Sequence, residues 1–182
     1  VVSRGSFKAP LMIIGEAPGA TEDKEGQPFV GRSGKLLDEM LISSDFDVEQ
    51  DVYMCNVVKC RPPKNRRPTK LEIEYSLPWL YQQIALVDPL VVALTGSTAL
   101  ESVIGMKDPI SSVRGKWLNW NNRLVMPLFH PAYLLRNPSR KELSPYSLTK
   151  KDLFEIHNKL KTIFKTPSMR YSLSLEAEMK DS

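Results

Sequence analysis

Cysteine and histidine are scarce in this chain of 182 residues, with two of each. Cys55 and Cys60 cannot form a disulfide framework, and a C-x4-C spacing without a second pair does not complete a tetrahedral metal site. The composition fits a reducing compartment, and each thiol is read as a buried strand side chain. No apolar stretch of about 18 residues exists, so no membrane-spanning helix is expected. Val1 to Pro10 lack the apolar core of a secretory signal. Position 1 is Val rather than Met, so the chain is expected to be a piece cut from a longer one. Two phosphate-binding fingerprints are also missing. The Gly-rich loop near the N-terminus has no G-K-[ST] ending, and no G-x-G-x-x-G follows a strand, which weighs against a nucleotide-binding enzyme.

A hydrophobic fraction of 42% is enough for one substantial core. The formal charge is +4 and the pI is near 9.0, a mild indication of a polyanionic partner. The distribution says more. KCRPPKNRRPTK, from Lys59 to Lys70, holds six cations and no acid, and Arg136, Arg140 and Lys141 form a second group after HPAYLL. Such runs are either a solvated face or a phosphate-binding one.

LMIIG (Leu11 to Gly15) reads as a buried strand, and Lys35 to Ile42 as a helix with Leu36, Leu37, Met40 and Leu41 at helical spacing. VYMCNVV (Val52 to Val58) is a second strand. Thr69 and Glu72 form a capping-box pattern ahead of a helix carrying Ile73, Leu77, Leu80 and Ile84, with Pro78 as a kink or break. LVVAL (Leu90 to Leu94) is a third strand, followed by a helix that Thr98 and Glu101 would cap. Lys116 to Trp120 and Arg123 to Phe129 flank Asn121-Asn122 as a hairpin, and Thr149 to Phe164 is a last amphipathic helix. Residues 165–182 show no clear period and are expected to be a loose tail after a single domain, 1–164. Strands alternating with helices predict an α/β fold with a mostly parallel sheet. In such folds ligands gather at the carboxyl ends of strands, where Gly15-Glu16, Asn56 to Arg61, Thr95-Gly96 and His130-Pro131 should meet.

Three stretches contain residues suited to chemistry. GEAPGATEDKEGQPFVGRSG holds five Gly and two Pro in twenty residues, a backbone shaped for close approach, with Glu16, Glu22 and Asp23 near Phe29. The acids are either solvated or functional, and Phe29 either anchors the loop or meets a ligand. Asn56 is out of character in an apolar strand. It either ties down a neighbouring loop or reads a ligand edge, for which a carboxamide suits a nucleobase. His130, at a strand end beside Pro131, is a structural histidine or a donor to an oxygen in a dry site. For His157, inside the amphipathic helix, the structural reading is far stronger.

Taken together, GEAPGATEDKEGQPFVGRSGKLL, NVVKCRPPKNRRPT and HPAYLLRNPSR resemble, in this order, the motif blocks of family 4 uracil-DNA glycosylases. The resemblance spans roughly Leu11 to Lys141. It implies a three-layer α/β/α sandwich around a four-stranded mostly parallel sheet, acting on uracil-containing DNA inside a bacterial or phage-infected cell. It also implies roles. Phe29 would stack on the extracted base, Asn56 would bond its O4 and N3–H edge, and His130 would face O2. Glu16 and Glu22, with the backbone of Ala17, would line the place of the attacking water. Lys59, Arg61, Lys64, Arg66 and Arg67 would lie near phosphate. Tyr133, Leu134, Leu135, Arg136, Ser139 and Arg140 would belong to a loop pressed into the minor groove.

The resemblance departs at the cysteines. Family 4 members typically hold a [4Fe-4S] cluster on four of them. Cys60 matches the third, Ser76 stands where the fourth is expected, and nothing before Leu11 supplies the first pair. No iron–sulfur cluster, metal or organic cofactor is expected. An active glycosylase, as a monomer or a domain of a longer chain, is the first expectation. The second is a glycosylase-like DNA-binding module with weak or no excision, within a larger replication or repair protein such as a phage-type DNA polymerase.

Overall fold

The computed structural model describes residues 1–164, so the expected tail, 165–182, lies outside the described residues. Six strands form one sheet: Arg4–Gly5 (β1), Leu11–Gly15 (β2), Val52–Asn56 (β3), Val91–Thr95 (β4), Leu118–Trp120 (β5) and Arg123–Leu128 (β6). Their spatial order is β1-β3-β2-β4-β6-β5. The four central strands run parallel, while β1 and β5 pair antiparallel at the two edges. The expected four-stranded parallel sheet is therefore the centre of a six-stranded one. The two-residue β1 was too short to leave a periodic signal, and β5 is the outer arm of the expected hairpin. Its turn residues Asn121 and Asn122 take φ of 48° and 60°, the positive values that a tight hairpin demands.

The helices are Ala20–Glu25 (α1), Arg32–Ser43 (α2), Lys70–Val87 (α3), Ser97–Ile104 (α4), Ile110–Val113 (α5), Pro131–Arg136 (α6) and Pro145–Ile163 (α7). Alternation along the strands divides the core in two. Leu11, Ile13, Met54, Ala93 and Met126 pack with Leu37 and Met40 of α2, Leu134 of α6 and Leu153 and Ile156 of α7. Met12, Ile14, Cys55, Val92 and Leu94 pack with Leu80 and Ile84 of α3 and Leu100 and Val103 of α4. Strands that are apolar on both faces are covered on both faces, giving three layers.

Several local expectations change. α2 begins at Arg32 rather than Lys35, with Gly31 at its N-cap, and β3 ends at Asn56 rather than Val58. Thr69 does cap α3, its hydroxyl accepting from the Glu72 N–H at 3.2 Å. The reciprocal half of the capping box is missing, because the Glu72 carboxylate turns to the Arg66 guanidinium. Pro78 neither ends nor breaks α3, which runs through it to Val87. The carbonyl deprived of its donor belongs to Glu74, on the exposed side where water reaches it. α4 is capped by the Gly96 backbone rather than by the Thr98 side chain. α7 starts earlier than expected, at Pro145, with Ser144 as its N-cap.

Parallel pairing brings the carboxyl ends of the central strands to one edge. Gly15 lies opposite Asn56, and Thr95 lies opposite Leu128, two residues before His130.

Candidate active site

At the end of β2, Gly15 is the point where two loops close in. A Cβ placed on it would lie 2.6 Å from Asn56 Oδ1 and 2.6 Å from Phe29 Cζ. The missing side chain lets a carboxamide and an aromatic edge share one spot. Asn56 is 5% exposed, yet its carboxamide makes no hydrogen bond with any described residue. Among the described residues no fully buried side-chain N or O lacks a partner, so the polar end of Asn56 keeps some contact with solvent. Its side chain does not tie down a loop. Only its backbone carbonyl does so, accepting from Lys59 Nζ at 2.6 Å.

Phe29 is buried and takes φ of 55°. The start of α2 lies directly on its backbone, for a Cβ on Gly34 would fall 1.9 Å from the Phe29 carbonyl oxygen. Glu22 is fully engaged in shaping this loop. Its Oε1 accepts from the Gly19 N–H at 3.1 Å, and its Oε2 accepts from the N–H groups of Val30 at 3.2 Å and Gly31 at 2.6 Å. The expectation that Glu22 lines the attacking water meets a carboxylate whose two oxygens already serve three backbone donors.

His130 is the N-cap of α6, and its Nδ1 accepts from the Ala132 N–H at 3.1 Å. The neutral ring therefore carries its proton on Nε2, which has no partner among the described residues. Burial holds the pKa of His130 below the ordinary imidazole value; Glu16 pulls it upward and Arg136 pushes it further down. A Cβ on Gly96 would come within 3.2 Å of His130 Cβ, so the imidazole stands against the end of β4. Glu16, half-buried beside it, accepts from the Thr98 hydroxyl at 2.5 Å. Ala17 follows, half-buried. Thr98 escaped the sequence reading, which assigned it to a helix cap.

The cationic residues separate into bound and open ones. Lys59 points inward, donating to the Asn56 carbonyl and to Gln83 Oε1, and burial lowers its pKa. Arg66 pairs with Glu72, Arg67 stands 3.9 Å from Glu101, and Arg61 donates to Asn65 Oδ1 at 2.7 Å. Lys64 is exposed. Among the residues expected to press into the groove, Leu134 is 2% exposed and belongs to the core, since the short α6 needs one apolar anchor. Tyr133 stacks near Phe129 with ring centroids 5.0 Å apart, and Arg140 lies over the Tyr146 ring at 4.4 Å. Leu135 is half-buried, whereas Arg136 and Ser139 are exposed.

The residues present do not fit a four-thiolate cluster. Cys55 is in the core, where burial pushes its thiol up to about 11, and only Cys60 is exposed. Ser76 is buried. Among the described residues no group of three or more His, Cys, Asp or Glu side chains is arranged to hold a metal ion.

A family model described as Uracil DNA glycosylase superfamily matches residues 2–154. A type-4 uracil-DNA glycosylase from Thermotoga maritima is 47% identical over 143 residues, covering 78% of this chain and 74% of that protein. One from Sulfurisphaera tokodaii is 40% identical over 152 residues, covering 79% and 69%. A DNA polymerase of Bacillus phage SP01 is 33% identical over 139 residues, 76% of this chain but 15% of the polymerase.

Proposed function

Because the chain belongs to the uracil DNA glycosylase superfamily, we propose that it hydrolyses the N-glycosidic bond of a uracil flipped out of DNA. The observation that carries this reading is Asn56, a buried side chain whose amide has no partner among the described residues and shares its approach to Gly15 with the Phe29 ring. A carboxamide offers a donor and an acceptor side by side, matching the O4 and N3–H edge of uracil. An aromatic face returns about 1–3 kcal/mol per stacked base, against an unstacking cost of a few kcal/mol for leaving the duplex.

In this reading the bond between C1′ and N1 breaks, its electron pair stays with the base, and the charge spreads to O2. The His130 Nε2–H donates to that oxygen; one placed donor at a developing anion is worth about 2.7–4 kcal/mol. Water adds to the cationic sugar carbon, and the proton it releases neutralises the departed uracil anion, leaving free uracil and an abasic sugar. Glu16, held by Thr98, is the carboxylate we assign to orient that water and to face the sugar charge. Glu22 acts through the loop it shapes, and Ala17 lies in the same wall. Arg61, Lys64, Tyr133, Leu135, Arg136 and Ser139 form the proposed DNA surface, with Arg66, Arg67 and Arg140 partly offset by their partners. The chemistry calls for no cofactor, and the domain works without an iron–sulfur cluster. In this reading it acts inside a cell, on cellular or phage DNA that contains uracil. No helix among the described residues is long and apolar enough to cross a membrane.

The phage polymerase relative favours a second reading, a DNA-gripping module without turnover. A uracil-excision assay on single-stranded and duplex oligonucleotides separates the two. Product formation that vanishes in Asn56→Ala and His130→Ala supports the enzyme. Salt-sensitive binding with no product supports the module.

A further inference from the structure

Phe29 stands in the left-handed region of backbone space, which a bulky side chain seldom occupies unless its surroundings hold it there. The peptide unit that follows it is gripped by charge at both ends. Its carbonyl, that of Phe29, accepts from Arg4 Nη2 at 2.9 Å, and its N–H, that of Val30, donates to Glu22 Oε2 at 3.2 Å. The neighbouring groups repeat the pattern. The Pro28 carbonyl accepts from Arg4 Nε at 2.8 Å, and the Gly31 N–H donates to the same Glu22 oxygen at 2.6 Å. A cation on the carbonyl side and an anion on the amide side match the direction of the peptide dipole. Turning this peptide breaks two charge-assisted hydrogen bonds at once.

Arg4 is itself anchored on two sides. Its Nη2 also donates to Asp38 Oδ1 of α2 at 2.7 Å, and its backbone pairs in β1 with Met54, two residues before Asn56 on β3. Arg4 thus joins the Phe29 loop and α2 through its guanidinium, and through its backbone the strand that carries the base-reading amide. The planar fork of arginine spans two carbonyls and a carboxylate, which the single ammonium of lysine cannot do.

We propose that Arg4 is a positioning residue: with Glu22 it locks the peptide between Phe29 and Val30, and so sets the Phe29 ring in the place where the flipped base stacks. This rests on the reading of Phe29 as the stacking face. Arg4 touches neither base nor sugar, and its effect passes through the loop.

The test combines Arg4→Ala, Arg4→Lys, Phe29→Ala and the Arg4→Ala/Phe29→Ala double variant, each checked for folding by thermal unfolding. Single-turnover uracil excision and amide hydrogen exchange are the readouts. Arg4→Ala is expected to lower excision roughly tenfold to a hundredfold, about the worth of one hydrogen bond to a charged group passed on through the loop, with Arg4→Lys recovering part. On the Phe29→Ala background the same substitution should cost no more than about threefold, since the ring it positions is gone. The Val30 and Gly31 amides should exchange at least about tenfold faster in Arg4→Ala, while those of β2 and β4 keep their protection. A full second loss on the Phe29→Ala background overturns the proposal, as does unchanged exchange at Val30. Absence of excision in the unmodified protein sinks the glycosylase reading instead, and the exchange measurement still decides whether Arg4 holds the loop.

Discussion

Asn56→Ala separates a side chain that holds the protein together from one that waits for a ligand. Asn56 is 5% exposed and its carboxamide has no hydrogen bond to a described residue, so its removal leaves no donor or acceptor among them stranded. What is lost is van der Waals contact near Gly15 and the Phe29 ring; what is relieved is a desolvated amide. These oppose one another and leave a net change within about 1 kcal/mol. For a domain of this size that moves Tm by about 2–4 °C. A loop-tying Asn with two internal hydrogen bonds would instead cost roughly 2–6 kcal/mol. Excision should behave in the opposite way. The amide supplies two bonds to the uracil edge that strengthen as the base departs, and losing such contacts costs about 10²–10³-fold. Single-turnover excision and urea or thermal unfolding on the same preparation give both numbers. Excision within tenfold of the unmodified protein refutes the reasoning, and so does a stability loss of several kcal/mol. Asn56→Asp provides a further check: a carboxylate only accepts, so uracil is disfavoured and any gain should be toward the amino group of cytosine.

Three other perturbations probe the rest of the site. His130 has a pKa held below its ordinary value of 6.5 by burial, so excision should be flat near neutrality and fall on an acid limb below pH 6.5, where a proton on Nδ1 confronts the Ala132 N–H. The unfolded chain takes up that proton first, so this group's stability contribution is present above pH 6.5 and is lost as pH falls through the folded pKa; a limb that persists in His130→Gln would assign it to another group. Gly15→Ala keeps an allowed backbone, as Gly15 is not among the positive-φ glycines, but puts a methyl 2.6 Å from both Phe29 Cζ and Asn56 Oδ1. It should cost about 1–3 kcal/mol of stability and at least about tenfold in excision, and normal kinetics would show that the two side chains do not share a site. Glu22→Gln sets an amide against three backbone donors and should lower stability by about 1–3 kcal/mol together with excision, whereas Glu16→Gln should lower excision with little change in Tm; urea titration of both variants tests the contrast, and equal stability losses would contradict it.

The layered fold was largely legible because periodicity reports it directly. Leu11–Gly15 and Val91–Thr95 are apolar at successive positions because helices cover both faces of the sheet, and the Asn121-Asn122 turn was visible from its chemistry. Edge elements were less so. Two residues of β1 leave no period, and the six-residue α1 and α6 fall below the length at which a helical stripe can be told from chance. Leu134 shows the consequence. In HPAYLL nothing marks which leucine turns inward, and the buried one was assigned to the DNA surface. Long-range polar contacts were invisible for a different reason. Thr98 and Glu101 have capping spacing, but the Thr98 hydroxyl is taken by Glu16, 82 residues away. Among the six cations from Lys59 to Lys70, Lys59, Arg66 and Arg67 looked unpartnered because Gln83, Glu72 and Glu101 lie beyond the run on α3 and α4.

A sequence gives the types of polar groups but not whether they are satisfied, and satisfaction is what sorts this site. Glu16 and Glu22 are indistinguishable as letters in one loop. Glu22 serves three backbone N–H groups, so its charge is spent on the backbone, while Glu16 has a single hydroxyl donor and an imidazole for a neighbour. Lys59 and Lys64 stand in one basic run, yet the first is drawn inward by two oxygens and the second faces water. The Asn56 amide and the Nε2 of His130 remain as polar groups at strand ends with no partner among the described residues, where no fully buried side-chain polar atom goes unpaired. Each keeps solvent contact in place of a bond to a described residue. Folding gains nothing from that arrangement, whereas a bound base would supply the missing partners.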